Sequence, residues 1–193
     1  MAFSASSLER ALSALGELLD SRGLEYRLAA VGGGAMLLTG LLDRPTNDLD
    51  LVAQVDEGVA VAVEPLPAAL REATTDVARA LDLPKNWMNP GPSSLLDLGL
   101  PSGFVERARP RRYGPLEILL ADRFDQIHFK LYAAVDQGPG SKHFADLQAL
   151  EPSRNEVLGA ARWARTHDPS EGFRAELIKA LEALGIRGSD ESL

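Results

Sequence analysis

The chain has 193 residues, of which 45% are hydrophobic, and a formal net charge of −8. This length suits one compact catalytic unit with a helical appendage, and the acidic balance argues against a large nonspecific nucleic-acid surface. The absence of cysteine excludes disulfides, thiolate zinc sites and cysteine nucleophiles. No apolar run is long enough to span a bilayer and no leader pattern opens the chain, so we expect a cytoplasmic protein.

Hydrophobic periodicity and turn residues predict alternating helices and strands in the first part of the chain. Ser6 and Glu9 have the spacing of a helical capping box, Gly32 ends the first apolar run, and Pro45 prevents a helix from continuing past it. The predicted elements are a helix from Ser6 to Gly23, a buried strand over 26–31, a helix over 35–42 and a half-buried strand over 48–55.

The remainder of the chain predicts a loop, one further strand and several helices. Asp122 can cap a helix, and Ser153 with Glu156 forms a second capping box. The predicted elements are a helical region over 57–82 broken at 64–67, an ordered loop over 84–103 with a short strand at 94–98, a buried strand over 115–120, helices from Asp122 and Ser153, a last helix from Asp168 to Gly185, and a frayed tail over 187–193.

Three consecutive glycines and two alternating aspartates stand at the ends of two neighbouring predicted strands. Asp48 and Asp50 share one strand face, about 6.5 Å apart, and paired carboxylates suit Mg²⁺, which takes oxygen ligands together with substrate phosphates. Without Cβ atoms, the backbone of Gly32, Gly33 and Gly34 can approach a phosphate at the start of a helix. The alternative is a tight turn beside two solvated carboxylates.

The order of these two motifs narrows the interpretation. No Gly-Lys-Ser/Thr follows the glycines, which excludes a Walker loop, and Leu37 stands where a dinucleotide fingerprint needs glycine. A Gly-Gly turn (Gly32-Gly33) followed by Asp-hydrophobic-Asp (48–50) resembles the DNA polymerase β nucleotidyltransferase superfamily. Within it, the string VGGGAMLLTG…RPTNDLDL is similar to the AbiEii and MenT group of toxin nucleotidyltransferases.

A second part of the resemblance lies downstream, in FKLYAAVDQGPGSKHFADLQAL. The group carries a lysine on a helix and then an Asp-x-x-Asp-Leu motif, which Lys130 and Asp146-Leu147 match. His143 occupies the place of the first aspartate of that motif. The resemblance covers roughly residues 26–150.

The resemblance implies a fold, a reaction and partners. The fold is α/β (α+β), with a small mixed sheet of the polymerase-β-like core flanked by helices over 1–150 and a helical C-terminal segment over 151–193 packed on that core. The reaction is Mg²⁺-dependent transfer of nucleotides from a nucleoside triphosphate (NTP) to the 3′ end of tRNA, which blocks translation. The protein is then the toxin of a toxin–antitoxin system, with a cognate antitoxin as partner.

The resemblance also implies roles for individual residues. Asp48 and Asp50 hold Mg²⁺, Gly32–Gly34 bind the nucleotide, and Lys130 contacts the triphosphate as a point charge. Taken alone, a lysine on an amphipathic helix is usually a surface residue. Asp146 either completes the metal shell or accepts the proton of the acceptor hydroxyl, and its alternative is a helix-terminal carboxylate that satisfies backbone donors.

Two other features leave alternatives open. Thr46 either contacts phosphate, serves as a modification point that blocks the site, or is a turn threonine after Pro45. Arg107, Arg109, Arg111 and Arg112 either bind tRNA or form a solvated loop. Trp87 is expected to anchor the core or a loop rather than to stack on a base.

Two different functions compete with the toxin interpretation. One is nucleotidyl transfer to a small-molecule or protein hydroxyl, because an acidic surface suits a cationic acceptor. The other is a catalytically inert nucleotide-binding regulatory module, which the replacement of aspartate by His143 suggests.

Overall fold

The structure is a computed structural model and describes residues 2–187, without the side chain of Leu98. The chain divides into two compact units, Met1–Asp122 and Arg123–Leu193. The tail predicted to fray lies outside the described residues from residue 188 onwards. Over 2–187 no helix has the length and apolarity needed to cross a membrane.

The first unit is a mixed sheet with helices, which confirms the predicted α/β class. Its strands lie in the order β3-β2-β1-β6-β5, and β4 pairs with β2. Strand β1 runs antiparallel to β2 and parallel to β6. The elements are α1 (Ala5–Ser21), β1 (Tyr26–Val31), α2 (Gly32–Thr39), β2 (Leu49–Asp56), β3 (Val59–Val61), α3 (Ala68–Ala80), β4 (Met88–Asn89), a 3₁₀ helix (Gly91–Leu98), α4 (Phe104–Arg107), β5 (Arg109–Tyr113) and β6 (Leu116–Leu120).

The start of the region predicted to be helical over 57–82 is a strand instead. Glu57 and Gly58 both have positive φ angles, of 50° and 83°, and form a tight turn after β2. The turn returns the chain along β2 as β3, so only α3 matches the predicted helix. The prediction was wrong here because Glu57 does not carry the usual sequence signal of a hairpin turn.

The prediction for 84–103 was also wrong in detail. Residues 94–98 belong to a 3₁₀ helix that begins beside Pro92, whereas the short strand of this region is β4, at Met88–Asn89. Pro92 suits the first turn of a helix because its missing N–H would have no partner there. The loop therefore adds a strand to β2 that the sequence did not predict.

Two helix starts differ from their predictions by one or two residues. The capping box of α1 pairs Ser4 with Ser7, because Ser6 already lies inside the first turn. The last helix begins after Ser170, and Asp168 ends the preceding helix while its carboxylate accepts a hydrogen bond from the Ser170 N–H at 2.8 Å. Serine hydroxyls at both starts satisfy backbone N–H groups that have no intrahelical acceptor.

The core of the first unit lies between α1, α3 and one face of the sheet. Leucines at helical spacing in α1 are fully buried there, as their periodicity predicts. Trp87 has 0% exposure and its Nε1–H donates to the Thr74 carbonyl at 3.1 Å, which confirms its prediction as a core anchor. This anchor lies two residues before the end of β4.

The second unit consists of four helices, α5 (Arg123–Gln137), α6 (Lys142–Ala149), α7 (Arg154–His167) and α8 (Glu171–Ala183). Arg123 donates to the carbonyls of Leu150 and Glu151 and to the carboxylate of Glu156, which joins the start of α5 to the start of α7. These contacts put α5 and α6 with the C-terminal helices. The predicted boundary after residue 150 stays a prediction.

The capping box predicted at Ser153 and Glu156 is present. Its glutamate gives a prediction for how the stability of the protein depends on pH. The hydrogen bond from Arg123 lowers the pKa of Glu156 from 4.5 to about 2. Because this carboxyl has its lower pKa in the folded state, its contribution is present above pH 4.5 and is lost as the pH falls towards 2. We expect the Glu156→Gln variant to lose less unfolding free energy than the wild type between pH 5 and 2.5 in denaturant titrations followed by circular dichroism. Equal losses would contradict this assignment.

Candidate functional site

The three glycines form the first turn of α2 rather than a loop before it, so the helix predicted over 35–42 starts at Gly32 and ends at Gly40. Gly32 has a φ of +72°, a conformation that side chains disfavour. A Cβ added to it would lie 2.5 Å from Oδ2 of Asp50. Two independent constraints therefore require glycine at this position.

The next two glycines bring α2 against the chain that leads into β2. A Cβ at Gly33 would lie 3.0 Å from Oγ1 of Thr46, and one at Gly34 would lie 2.6 Å from the carbonyl oxygen of Asp48. The N-cap residue, Val31, has no side-chain oxygen, so no side-chain cap covers the first turn of α2. The helix start thus approaches the aspartate segment closely.

The two aspartates lie beside this turn, as the sequence predicts. Asp50 pairs with Val31 in the antiparallel register of β1 and β2, and both aspartates are partly exposed. Leu49, between them, is fully buried in the core. A register shift follows at Val52, and bulges of this kind re-aim side chains next to functional sites. The carboxylate of Asp50 therefore lies at the glycine turn, and Asp48 precedes it by two residues.

Asn89 is a member of this group that sequence reasoning missed. It pairs with Asp50 in the parallel register of β4 and β2, and its Nδ2 donates to Oδ1 of Asp50 at 2.8 Å. The pairing depends on a two-residue strand inside a segment rich in proline and glycine, which gives no periodic signal. Only the sequence proximity of Asn89 to Trp87 hints at an anchored position.

Thr46 is placed as a structural residue. It is 7% exposed, its Oγ1 donates to the Asp48 carbonyl at 3.3 Å, and its backbone pairs with Phe3. These contacts hold the segment that leads into Asp48. They favour the turn-threonine interpretation over a modification point, since a modified hydroxyl must be reached by solvent.

The donor set of Asp48 and Asp50 fits a magnesium ion. Mg²⁺ is commonly held by one or two carboxylates, with waters and substrate phosphates completing its octahedral shell. Within residues 2–187 no three side chains of the histidine, aspartate and glutamate type gather as a metal-binding group. A pair of carboxylates is a donor set that suits a cation bound together with a substrate phosphate.

The chain was compared with models of protein families, with curated proteins and with solved structures. None of the three comparisons found a match.

Lys130 and Asp146, the other predicted catalytic residues, lie in the second unit and pair with each other. Nζ of Lys130 lies 2.7 Å from Oδ2 of Asp146, and the side chains are only 4% and 1% exposed. Lys130 is therefore buried, unlike most lysines on amphipathic helices, and its predicted contact with a triphosphate stays a prediction. A buried pair of this kind joins α5 to α6, whatever further role it has.

Removal of one partner of this pair should destabilise the second unit strongly. An unpaired charge left in a buried site costs about 3–5 kcal/mol, whereas replacing both partners by apolar residues is often neutral. We expect Lys130→Met and Asp146→Leu to lower the unfolding free energy by this amount singly, and the double variant to recover most of it in urea titrations. Additive losses would show that the two groups do not depend on each other.

The four arginines of the predicted RNA-binding segment lie on or next to the edge strand β5, and Arg109, Arg111 and Arg112 pair with carboxylates. Their side chains remain 47–78% exposed, and exposed ion pairs of this type are weak. The pairs are Arg109 with Asp122 at 3.3 Å, Arg111 with Glu9 at 2.5 Å and Arg112 with Glu117 at 2.7 Å. Arg111 also donates to the Leu38 carbonyl at the end of α2, so it supports that helix.

Proposed function

We propose that the protein is a Mg²⁺-dependent nucleotidyltransferase that takes its nucleotide from an NTP. The observation that carries the proposal is the close approach of Gly32 to the carboxylate of Asp50, with Asp48 two residues before it and the glycine-rich first turn of α2 alongside. This combination offers oxygen ligands to a cation and backbone N–H groups to a phosphate within one small region.

The reaction we propose is attack of an acceptor hydroxyl on the α-phosphorus, with release of pyrophosphate and loss of the hydroxyl proton to a base. Such transfers depend mainly on positioning and charge neutralisation. Mg²⁺ held by Asp48 and Asp50 would neutralise phosphate charge when bound. The glycine turn would hold phosphate oxygens through its N–H groups, because no Cβ blocks their approach.

Lys130 and Asp146 enter the proposal with a clear test. If Lys130 contributes a charge to triphosphate binding, the folded Lys130→Met/Asp146→Leu double variant should lose transfer. If the pair serves the helical unit alone, the same variant should transfer nucleotides normally. Asp146 bonded to Lys130 favours a role through that lysine over direct proton acceptance.

For the acceptor, we propose the 3′ end of tRNA, with the protein acting as the toxin of a toxin–antitoxin pair that blocks translation. The support is the motif resemblance together with the exposure of Arg109, Arg111 and Arg112 on the edge of the sheet. The experiment is incubation of the purified protein with total tRNA, Mg²⁺ and each α-labelled NTP in turn. Label on tRNA that disappears with Asp48→Ala would support the proposal, and absence of label with every NTP would contradict it.

The arginine segment provides a separate prediction. We expect Arg109→Ala/Arg112→Ala to reduce transfer to tRNA by about tenfold at 0.15 M salt, because each lost phosphate contact weakens binding and its salt dependence. Triphosphate binding should be unchanged, as measured by equilibrium dialysis. If the double variant transferred nucleotides to tRNA as fast as the wild type, this segment would not bind tRNA.

A second acceptor class is favoured by one specific observation. The carboxylates of Asp122, Glu9 and Glu117 accompany the arginines, and the chain carries a net charge of −8. A negatively charged surface attracts a cationic acceptor, which is a small molecule or a protein that carries the reacting hydroxyl, more strongly than it attracts the polyanion tRNA. Pyrophosphate release with such an acceptor, without label on tRNA, would select this alternative.

A further inference from the structure

Asp50 is held from two sides by neighbouring parts of the first unit. Its Oδ1 accepts the hydrogen bond from Nδ2 of Asn89 at 2.8 Å, and its Oδ2 lies where a Cβ of Gly32 would come within 2.5 Å. The hydrogen bond from Asn89 therefore orients the carboxylate, with Oδ2 directed at the glycine turn. Asp48 differs, since no side chain among residues 2–187 forms a hydrogen bond or ion pair with its carboxylate.

The amide of Asn89 is itself fixed in direction. Its Oδ1 accepts a hydrogen bond from the N–H of Gly91 at 3.1 Å, which leaves the NH₂ group to face Asp50. The backbone before it is anchored, because the N–H of Leu49 donates to the Trp87 carbonyl at 2.7 Å and Trp87 is buried in the core. An anchored strand thus presents a preset donor to one carboxylate.

We propose that Asn89 is a positioning residue that holds Asp50 in the orientation needed to ligate a divalent cation. The inference rests on the proposed function, because it assumes that Asp50 is a metal ligand. A neutral amide suits the task, since it donates to the carboxylate without adding a charge that competes for the cation. Outer partners of this kind that orient a ligand typically contribute 10- to 100-fold to metal affinity or activity.

The two aspartates therefore differ in how they are held. Asn89 orients the carboxylate of Asp50 before the cation binds, whereas the carboxylate of Asp48 can adjust when the cation arrives. Loss of the Asn89 donor should therefore weaken cation binding without unfolding the unit. Loss of another hydrogen bond in the same segment should weaken the fold and leave cation binding unchanged.

The test measures Mn²⁺ binding by electron paramagnetic resonance of the free ion, without nucleotide, below the unfolding temperature of every variant. The variants are Asn89→Ala, Asn89→Ser, whose shorter side chain cannot reach Asp50, and Ser93→Ala as the matched control. Ser93 is buried in the 3₁₀ helix that follows Asn89, and its hydroxyl accepts a hydrogen bond from the Val63 N–H at 3.0 Å. Thermal unfolding of each variant is recorded in parallel.

We expect the dissociation constant for Mn²⁺ to rise about tenfold in both Asn89 variants, and to stay at the wild-type value in Ser93→Ala even if its melting temperature falls. Wild-type affinity in the Asn89 variants would overturn the positioning role and leave the proposed metal site intact. An equal loss in Ser93→Ala would also overturn it, because the effect would then be general to the loop. A wild-type protein that binds no Mn²⁺ without nucleotide would overturn the inference, because Asp50 would then not be preset for the cation, whereas the proposed function is tested separately by the labelling of tRNA.

Discussion

The Asp48→Asn variant is expected to fold like the wild type and to lose nucleotidyl transfer by about 10²- to 10³-fold, the size of effect seen when one preorganised electrostatic group is removed from an active site. Asp48 is partly exposed, and among residues 2–187 its side chain has no ion-pair partner whose loss would unfold the unit. The amide keeps the shape of the carboxylate but removes the charge that binds the cation. Pyrophosphate release under saturating NTP measures the effect.

The matched control for this variant is Asp56→Asn. Asp56 is the last residue of β2, is exposed, and its carboxylate accepts hydrogen bonds from Nε2 of Gln54 at 3.0 and 3.2 Å. We expect it to retain transfer within about twofold, the variation usual for an exposed surface substitution. Wild-type activity in both variants would show that Asp48 is not part of the site. An equally large loss of activity in both variants would show that the reaction depends on the negative charge of the strand in general and not on Asp48 as a ligand.

The second large effect is expected for Gly32→Ala, compared with Gly40→Ala. The two glycines lie at opposite ends of α2 with nearly the same φ, +72° and +73°, so alanine costs each about 1–2 kcal/mol of backbone strain. Their surroundings differ, because a Cβ at Gly40 meets nothing within 4 Å while a Cβ at Gly32 meets the Asp50 carboxylate. The pair therefore separates strain from site geometry.

We expect both alanine variants to lose similar unfolding free energy and only Gly32→Ala to lose transfer, by about 10²-fold, which is the cost of about 1 Å of misplacement in a catalytic site. The added methyl group meets the end of the Asp50 side chain. We therefore expect the Asp50 carboxylate to rotate away while α2 keeps its position. Denaturant titration and initial rates measured on the same preparations decide the outcome. Transfer retained by Gly32→Ala would mean that the position of Asp50 does not matter for the reaction.

Much of the fold could be predicted because its signals are local. The bounds of β1 follow from a short apolar run that stops at glycine, and the capping box of α7 follows from Ser153 and Glu156. Two strands were missed because pairing between separate segments forms them: β4, which pairs with β2, and β5, which pairs with β6. Strand β5 begins with Arg-Pro-Arg-Arg, residues that are polar or unable to donate and give no alternating pattern.

The candidate site shows the same division. Gly32 and Asp50 could be selected from the sequence because a glycine turn and alternating carboxylates are recognisable patterns. Their contact could not, since it depends on the register in which Val31 faces Asp50. Asn89 could not be selected either, because its place next to Asp50 comes from a two-residue strand formed between segments 39 residues apart.

The measurement that tests the central claim most directly is the anomalous difference density of Mn²⁺ in crystals grown with a non-hydrolysable NTP analogue. The account predicts one strong peak about 2.1 Å from carboxylate oxygens of both Asp48 and Asp50, with the triphosphate at the start of α2. A peak at other residues of the chain, or a triphosphate bound away from Gly32–Gly34, would contradict the account.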